Sequence, residues 1–259
     1  MYEYVLYAVE NGIATITLNR PEVYNAFNTQ LTLELQDIFK QINRDAQVRV
    51  VVLTGAGKAF CSGQDLKEAA ALSDRSLAES LHTRYNPLIK AMRELPKPII
   101  CALNGVAAGA GCSLALACDI IISSAEASLS EAFINIGLVP DSGSSFFLPR
   151  MVGSLKAFEL CTLGTKVNAA EALAMGLVNQ VVPAADLAST VKELASRYAV
   201  APTKAIGLIK KMLNKSFSAT LEQMLEYEAY AQEIAGKTED FREGVTAFTQ
   251  KRKPVFRGN

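Results

Sequence analysis

The sequence predicts an α/β protein with a helical C-terminal layer. Short apolar runs rich in isoleucine and valine, bounded by glycine, are typical of strands buried on both faces, and helical patterns follow them. Beyond residue 186, in contrast, all the apolar patterns have the spacing of helices and none that of a strand. We therefore expect a strand-containing core over residues 1–195 and a helical region over residues 196–259.

The first predicted elements precede residue 68. Residues 13–18 alternate and are rich in β-branched side chains, which predicts a strand. A helix is predicted after Asn28, because apolar side chains recur on one helical face: Leu31, Leu33, Leu35, Ile38 and Ile42. Residues 48–53 predict a buried strand. Residues 57–68 predict a glycine-containing turn that opens a helix, with Asp65 near its first turn.

Residues 96–141 contain the most informative pattern. A strand is predicted at 99–103, followed by a turn, a helix rich in small residues and a second strand at 120–123. Glycine and alanine at 105, 107–111 and 115 leave room for a ligand or another backbone. Amides at the start of a helix have no intrahelical partner, so such a turn suits a developing negative charge. We therefore expect an anion-stabilising turn within the core.

Charge and cysteine content exclude several classes of function. Lysine plus arginine and aspartate plus glutamate both number 26, so the charge balance favours neither nucleic acid nor an anionic membrane surface as a partner. The five cysteines form no C-x-x-C pair and are expected to be reduced core residues of a cytoplasmic protein. We see no targeting segment and no apolar run of transmembrane length.

Common catalytic and cofactor motifs fail at defining positions. In the G-A-G-K-A sequence at 55–59, Ala59 stands where a phosphate-binding loop needs serine or threonine. Leu114 stands where a dinucleotide fingerprint needs glycine or alanine. The chain has one histidine, His82, which we expect on a helix surface, and it has no G-x-S-x-G sequence. We therefore expect neither a metal nor a redox cofactor.

Five motifs, in order, resemble the enoyl-CoA hydratase/isomerase, or crotonase, family. They are L-N-R-P-E-V-Y-N-A-F at 18–27, V-L-T-G-A-G-K-A-F-C-S-G-Q-D-L-K at 52–67, P-K-P-I-I-C-A-L-N-G-V-A-A-G-A-G-C-S-L-A-L-A-C-D-I at 96–120, G-L-V-P-D-S-G at 137–143 and E-G-V-T-A-F-T-Q-K-R at 243–252. The resemblance covers essentially the whole chain. It implies a spiral of ββα turns, an acyl-CoA substrate and assembly as a homotrimer or hexamer through the region 196–259.

The resemblance also implies a set of site residues. The backbone amides of Gln64 and Ala110 would form an oxyanion hole for the thioester oxygen, and Asp141 would be the catalytic acid/base. Coenzyme A enters as part of the substrate, with these expected contacts: Glu22, Val23, Tyr24, Ser62, Asp65 and Leu66. Phe248 and Lys251 match positions that reach into a neighbouring subunit's coenzyme A site.

The matched positions favour an isomerase over a hydratase. Hydratases of the family use two glutamates, whose positions are Ser113 and Phe133 here. Glu131 lies two residues away, and we expect it to be a surface or capping residue. Among family members, the chain is most similar to those that isomerise a ring epoxide of phenylacetyl-CoA, and Tyr85 and Asn86 are candidates to face that substrate.

Two alternatives to this interpretation stay open. In the first, the protein is a hydratase whose catalytic acid lies at a different position from that of its relatives. The second is a catalytically silent acyl-CoA-binding subunit, in which Asp141 would only cap the helix that follows V-P-D-S-G.

Overall fold

Two β-sheets form the centre of the computed structural model, which describes residues 2–71 and 76–259. The strands are β1 (Val5–Glu10), β2 (Ile13–Leu18), β3 (Val50–Gly55), β4 (Ala59–Cys61), β5 (Ile99–Leu103), β6 (Val106–Ala108), β7 (Ile120–Ser124), β8 (Ser128–Ser130), β9 (Val167–Asn168) and β10 (Gln180–Val182). The larger sheet has the order β1-β2-β3-β5-β7-β10 and is parallel from β2 onward, whereas β1 is antiparallel to β2. The smaller sheet has the order β4-β6-β8-β9.

The chain winds as a spiral between these two sheets. The pairs β3 and β4, β5 and β6, and β7 and β8 each give one strand to each sheet, so the carboxyl-terminal ends of the large sheet lead directly into the small one. The predicted α/β class and the spiral of ββα turns are confirmed. The helices are α1 (Thr29–Arg44), α2 (Leu66–Ala71), α3 (Leu77–Ser80), α4 (Asn86–Glu94), α5 (Ala110–Leu116), α6 (Ser144–Val152), α7 (Ser154–Leu163), α8 (Ala169–Ala174), α9 (Leu187–Ala199), α10 (Thr203–Ser216), α11 (Leu221–Gly236) and α12 (Glu239–Thr249).

Short helical turns connect the longer elements. Turns of 3-10 helix occur at Pro21–Val23, Ala132–Ile136 and Ala184–Asp186, and a π-helical turn at Leu81–Tyr85 joins α3 to α4. Within the part of the chain that the structure describes, no helix combines the length and the apolar character needed to cross a membrane.

The central strands are buried on both faces, as their continuous apolar runs predict. Val51 and Leu53 of β3 face one core, which contains the apolar side of α1. Val52 of β3 and Ile100 of β5 face the opposite side and pack against α9. This alternation follows from the two-residue period of a strand, and it places helices on both sides of the large sheet.

The predicted helix after Asn28 is confirmed as α1. The Asn28 side chain accepts a hydrogen bond from the Leu31 amide at 2.8 Å and caps the helix. Leu33 is the exception to the predicted apolar face, because its side chain is 45 % exposed. His82 is exposed, as expected, and four of the five cysteines are buried while Cys161 is partly buried.

Asp119 connects the core to the C-terminal helices. Its Oδ2 atom accepts from the Ile99 amide at 2.9 Å and pairs with Lys210 Nζ of α10 at 2.7 Å. Oδ1 pairs with Arg93 at 3.0 Å. Burial lowers the pKa of Lys210, and the Asp119 carboxylate opposes that shift. The helical layer is therefore joined to β5 through a shared, partly buried carboxylate.

Asn25 joins two loops at the edge of the large sheet. It is fully buried, and its φ of 56° lies in the left-handed region that asparagine tolerates better than most residues. Its Oδ1 atom accepts from the Arg20 amide at 2.9 Å, and Nδ2 donates to the carbonyls of Ala56 at 2.9 Å and Ala59 at 2.8 Å. The side chain thus fixes the segment before α1 against the turn after β3.

We expect Asn25→Ala to lower the free energy of unfolding by about 2–3 kcal/mol. The substitution leaves buried polar groups without hydrogen-bond partners, and each such group costs about 1–3 kcal/mol. Urea denaturation measures the difference. Asn11→Ala is the matched control, because Asn11 also has a positive φ, of 52°, but is exposed. Equal losses in the two variants would mean that backbone strain, and not the three hydrogen bonds, causes the effect.

Candidate active site

A cavity of about 580 Å³ opens where the small sheet meets the loops that follow it. Its apolar lining comes from several elements and includes Leu66, Leu77, Leu81, Phe133, Leu138 and Val139. Its polar lining includes Gln64, Tyr85, Asn86 and Asp141. A largely apolar cavity with a few convergent polar groups is typical of a small-molecule site.

Two glycine turns bring the amides of Gln64 and Ala110 to this cavity. Gly63 has a φ of +93° and Gly109 a φ of +51°, and residues that carry a side chain rarely adopt these backbone conformations. The turns are in contact, since a Cβ atom added to Gly63 would lie 2.7 Å from the Ala108 carbonyl oxygen and 3.5 Å from the Ala110 nitrogen. Any larger residue at position 63 would therefore force the turns apart.

Both amides are available to a ligand. Neither the Gln64 nor the Ala110 amide donates to another backbone or side-chain acceptor among residues 2–71 and 76–259. Ala110 is the first residue of α5, where an amide has no intrahelical acceptor. The residues on either side of Gln64 hydrogen-bond to Phe27: the Gly63 carbonyl oxygen accepts from the Phe27 amide at 2.7 Å, and the Asp65 amide donates to the Phe27 carbonyl oxygen at 2.8 Å. The Gln64 amide therefore points away from Phe27.

Tyr85 fixes the side chain of Gln64. Its hydroxyl donates to Gln64 Oε1, and its ring packs edge-to-face against Phe27 with centroids 5.6 Å apart. Burial raises the pKa of Tyr85 well above its usual value, so the hydroxyl stays protonated and can donate. Tyr85 ends the π-helical turn and Asn86 begins α4, and both line the cavity. Such turns often occur at functional sites.

Asp141 lies in the loop between the 3-10 helix at Ala132–Ile136 and α6. Burial raises the pKa of its carboxyl group, and a hydrogen bond from Ser142 Oγ at 2.8 Å opposes that shift. The expectation that Asp141 could cap the following helix is wrong. The N-cap of α6 is Gly143, no side chain caps the helix, and only the backbone oxygen of Asp141 accepts from Ser144, at 3.1 Å.

The raised pKa of Asp141 predicts a pH-dependent cost in stability. Its pKa is higher in the folded than in the unfolded chain, so the protein loses stability as the pH rises from the usual carboxyl range through the raised value. We expect Asp141→Asn to raise the melting temperature at neutral pH, with a gain that shrinks in acid. Thermal unfolding over a pH series measures this, with the exposed Asp186→Asn as control. A gain that grows in acid would contradict the prediction.

Glu131 is not at the surface, contrary to expectation. It is 2 % exposed, and it makes no capping bond to the 3-10 helix that follows. Instead, its Oε1 atom lies 2.8 Å from Ser144 Oγ, which in turn lies 2.8 Å from Ser113 Oγ. The turn after β8 directs the Glu131 side chain inward beneath the Asp141 loop. Sequence reasoning missed this contact, because residues 113, 131 and 144 carry no local signal that they meet.

The expected coenzyme A contacts form a cluster at the rim. Ser62 donates from its amide to Tyr24 O at 3.0 Å and from Oγ to Val23 O at 3.3 Å, which joins the 3-10 helix at Pro21–Val23 to the Gly63 turn. Glu22, Tyr24 and Leu66 are exposed there.

Asp65 has structural partners at the same rim. It pairs with Arg20 at 3.1 Å and accepts from the Lys67 amide of α2, also at 3.1 Å. Burial alone would raise the pKa of Asp65, but the hydrogen bonds from Arg20 and the α2 amides outweigh it and lower the pKa. A steady negative charge on Asp65 therefore fixes the start of α2.

Phe248 and Lys251 lie apart from the other predicted site residues. Phe248, on α12, is 85 % exposed, and Lys251 follows the end of that helix with a φ of 53°. Neither lines the cavity that brings Gln64, Ala110, Asp141, Ser62 and Leu66 together.

Comparisons with known proteins identify the family of this chain. Residues 8–259 match the family model described as enoyl-CoA hydratase/isomerase. The chain is 44 % identical to the 1,2-epoxyphenylacetyl-CoA isomerase of Escherichia coli, over the full length of both chains. It is 35 % identical to the crotonyl-CoA hydratase of Syntrophomonas wolfei, over 98 % of each chain. The crystal structure of an enoyl-CoA hydratase from Bacillus anthracis superposes with a TM-score of 0.93 at 36 % identity, covering 99 % of this chain and all of that one. The chain therefore belongs to the enoyl-CoA hydratase/isomerase family of enzymes, which act on acyl-CoA thioesters.

Proposed function

We propose that the enzyme is an acyl-CoA isomerase that shifts the double bond, or opens the ring epoxide, of its acyl group through an oxyanion-stabilised enolate. One observation supports this most directly. The cavity contains the Asp141 carboxyl group together with the turns that present the Gln64 and Ala110 amides. The positions at which hydratases of the family have glutamates are Ser113, beneath the cavity, and Phe133, in its wall.

The second carboxylate in the cavity wall is already engaged. Glu68 accepts from the Thr29 amide, at 3.1 and 3.0 Å to its two oxygens, and lies 3.6 Å from Arg84. These bonds fix Glu68 as a structural anion between α1 and α2. Within residues 2–71 and 76–259, the Asp141 carboxylate accepts one hydrogen bond, from Ser142 Oγ. Asp141 is therefore the better candidate for proton transfer.

The proposed reaction needs one base and one oxyanion hole. In a 3-enoyl-CoA, the Asp141 carboxylate would remove a proton from the carbon next to the thioester carbonyl, and the carbonyl would become an enolate. The amides of Gln64 and Ala110 would donate to its oxygen, each supplying about 3 kcal/mol of stabilisation. The protonated Asp141 would then return the proton at the far end of the former double bond. The raised pKa of Asp141 suits a group that alternates between acid and base.

The acyl group we favour is aromatic. The E. coli relative is named for its action on 1,2-epoxyphenylacetyl-CoA. The apolar part of the cavity wall includes leucine, phenylalanine and valine side chains, against which an aromatic ring would pack.

Product analysis in deuterated buffer tests the proposed function. We expect a 3-enoyl-CoA and a 2-enoyl-CoA to interconvert with exchange of the migrating hydrogen and without formation of 3-hydroxyacyl-CoA. Formation of the hydroxyacyl product as the main reaction would instead establish a hydratase. Tight binding of both thioesters without any exchange would identify a catalytically silent acyl-CoA-binding subunit.

We propose that coenzyme A binds along the rim defined by Glu22, Val23, Tyr24, Ser62, Asp65 and Leu66. Copies of the chain would associate as a trimer or hexamer through the helical region 196–259, with Phe248 and Lys251 reaching a neighbour's coenzyme A. Large exposed apolar side chains on this region support an interface: Leu213, Phe217, Leu221, Leu225 and Phe248. Sedimentation analysis of the wild type tests the assembly, and a monomer at micromolar concentration would contradict it.

A further inference from the structure

The proposed proton transfer does not use Glu131, a buried acid near the Asp141 loop. Glu131 is 2 % exposed, and it is absent from the cavity lining. Its Oε2 atom is buried without a hydrogen-bond partner in the residues that the structure describes, 2–71 and 76–259. An ionised carboxylate with one bare, buried oxygen is costly, whereas the carbonyl oxygen of a neutral carboxylic acid tolerates that position far better.

A continuous chain of hydrogen-bonding atoms runs from Glu131 to the backbone of Asp141. Glu131 Oε1 lies 2.8 Å from Ser144 Oγ, Ser144 Oγ lies 2.8 Å from Ser113 Oγ, and Ser113 Oγ lies 3.0 Å from the Asp141 carbonyl oxygen. Ser113 and Ser144 are both 0 % exposed. The Gly109 carbonyl, 3.3 Å from Ser113 Oγ, is a weaker alternative acceptor. We call these three side chains the buried relay.

The number of protons decides the state of the buried relay. It contains three contacts between oxygen atoms, and each hydrogen bond needs one proton. If Glu131 is ionised, the two serine hydroxyls supply only two protons, so one of the three contacts, either between the serines or with the Asp141 carbonyl, has no hydrogen bond. If Glu131 is protonated, all three bonds form in one direction: Glu131 to Ser144, Ser144 to Ser113, and Ser113 to the Asp141 carbonyl.

The electrostatic surroundings favour the same state. Burial raises the pKa of Glu131, hydrogen bonds from Ser144 and Cys112 oppose the shift, and the nearby charge of Asp141 raises it further. The titratable groups that interact with it are Cys112 on α5, Cys161 on α7 and Asp141 in the loop above. Burial raises the pKa of both thiols, so they stay neutral. Of these three groups only the Cys112 thiol favours the carboxylate, by a hydrogen bond, and burial outweighs that effect.

We propose that Glu131 is held protonated and acts as a positioning residue, fixing the main chain of Asp141 through Ser144 and Ser113. This inference rests on the proposed function of Asp141. The buried relay also ties that loop to the oxyanion turn, because Ser113 lies one helical turn after Ala110 in α5. Base and amide are thereby held at a fixed separation, which proton transfer requires.

Infrared difference spectroscopy tests the protonation state without any substrate. Wild type minus Glu131→Gln at neutral pH should show the carbonyl stretch of a protonated carboxylic acid. Carboxylate bands in that difference spectrum would overturn the assignment. This measurement is independent of turnover, so it gives an answer even if the enzyme proves to be a hydratase.

Kinetics of the isomerisation test the positioning role. We expect Glu131→Leu to lower kcat by about 10- to 100-fold with little change in KM, because displacement of the base misaligns proton transfer. Glu131→Gln should restore most of this loss, since its amide can donate to Ser144. Ser113→Ala should lower kcat similarly, and the double variant Glu131→Leu/Ser113→Ala should be no slower than either single variant.

The exposed Glu126→Leu is the control for the loss of a carboxylate. The positioning role is overturned if Glu131→Leu keeps the wild-type kcat, if Glu131→Gln fails to restore it, or if the two losses multiply in the double variant. Absence of isomerisation by the wild type itself would reject the proposed function. The infrared result would then still decide the protonation of Glu131.

Discussion

Asp141→Asn is expected to lower kcat for double-bond migration by about 10²- to 10⁴-fold, the range typical of a lost general acid/base. The amide of asparagine keeps the size of the side chain and can accept from Ser142 Oγ as the aspartate does at 2.8 Å. The loop geometry should therefore persist while the base is lost. Steady-state kinetics with a 3-enoyl-CoA measure the effect, and calorimetry with a saturated acyl-CoA should show nearly unchanged affinity.

The pH profile of the wild type provides an independent check. The carboxylate is the active form of a base, so kcat/KM should fall as the pH drops through the raised pKa of Asp141. This fall in kcat/KM should occur at a pH above the usual range for a carboxyl group. Asp186→Asn is the matched control, because it makes the same chemical change at an exposed position. Wild-type turnover by Asp141→Asn would remove this residue from the mechanism, and another group would have to act as the base.

Ala110→Pro is expected to lower kcat by about 10²- to 10³-fold, the usual cost of losing one oxyanion-hole donor. Proline replaces the amide hydrogen with a ring carbon, and it is well tolerated at the first position of a helix, which Ala110 occupies in α5. The preceding residue is Gly109, which has no Cβ atom to clash with the ring.

Ala110→Gly is the matched control for this substitution, since it keeps the amide while changing the side chain. Turnover with a 3-enoyl-CoA and circular dichroism would be measured on both variants. A folded Ala110→Pro enzyme with the kcat of Ala110→Gly would show that this amide does not stabilise the transition state. The Gln64 amide would then need a different partner.

Local sequence patterns predicted strands β2, β3, β5 and β7, most of the helices and part of the site. The strands predicted at 99–103 and 120–123 and the capped helix after Asn28 were found because continuous apolar runs and helix caps depend on neighbours in the sequence. The glycines before Gln64 and Ala110 were equally informative, since both need backbone conformations that glycine adopts without strain. The family resemblance then suggested what the two turns do.

Tertiary structure alone decided the surroundings of the predicted base. The sequence around Asp141 is compatible with an N-cap, and only the placement of Gly143 at the start of α6 excludes one. Leu33 fits an apolar helical face but is exposed. Ser113, Glu131 and Ser144 come from separate elements, and their contacts arise only when the ββα turns stack. Local propensity reports on residues a few positions apart, whereas the ionisation of a buried acid depends on groups that folding brings together from distant parts of the chain.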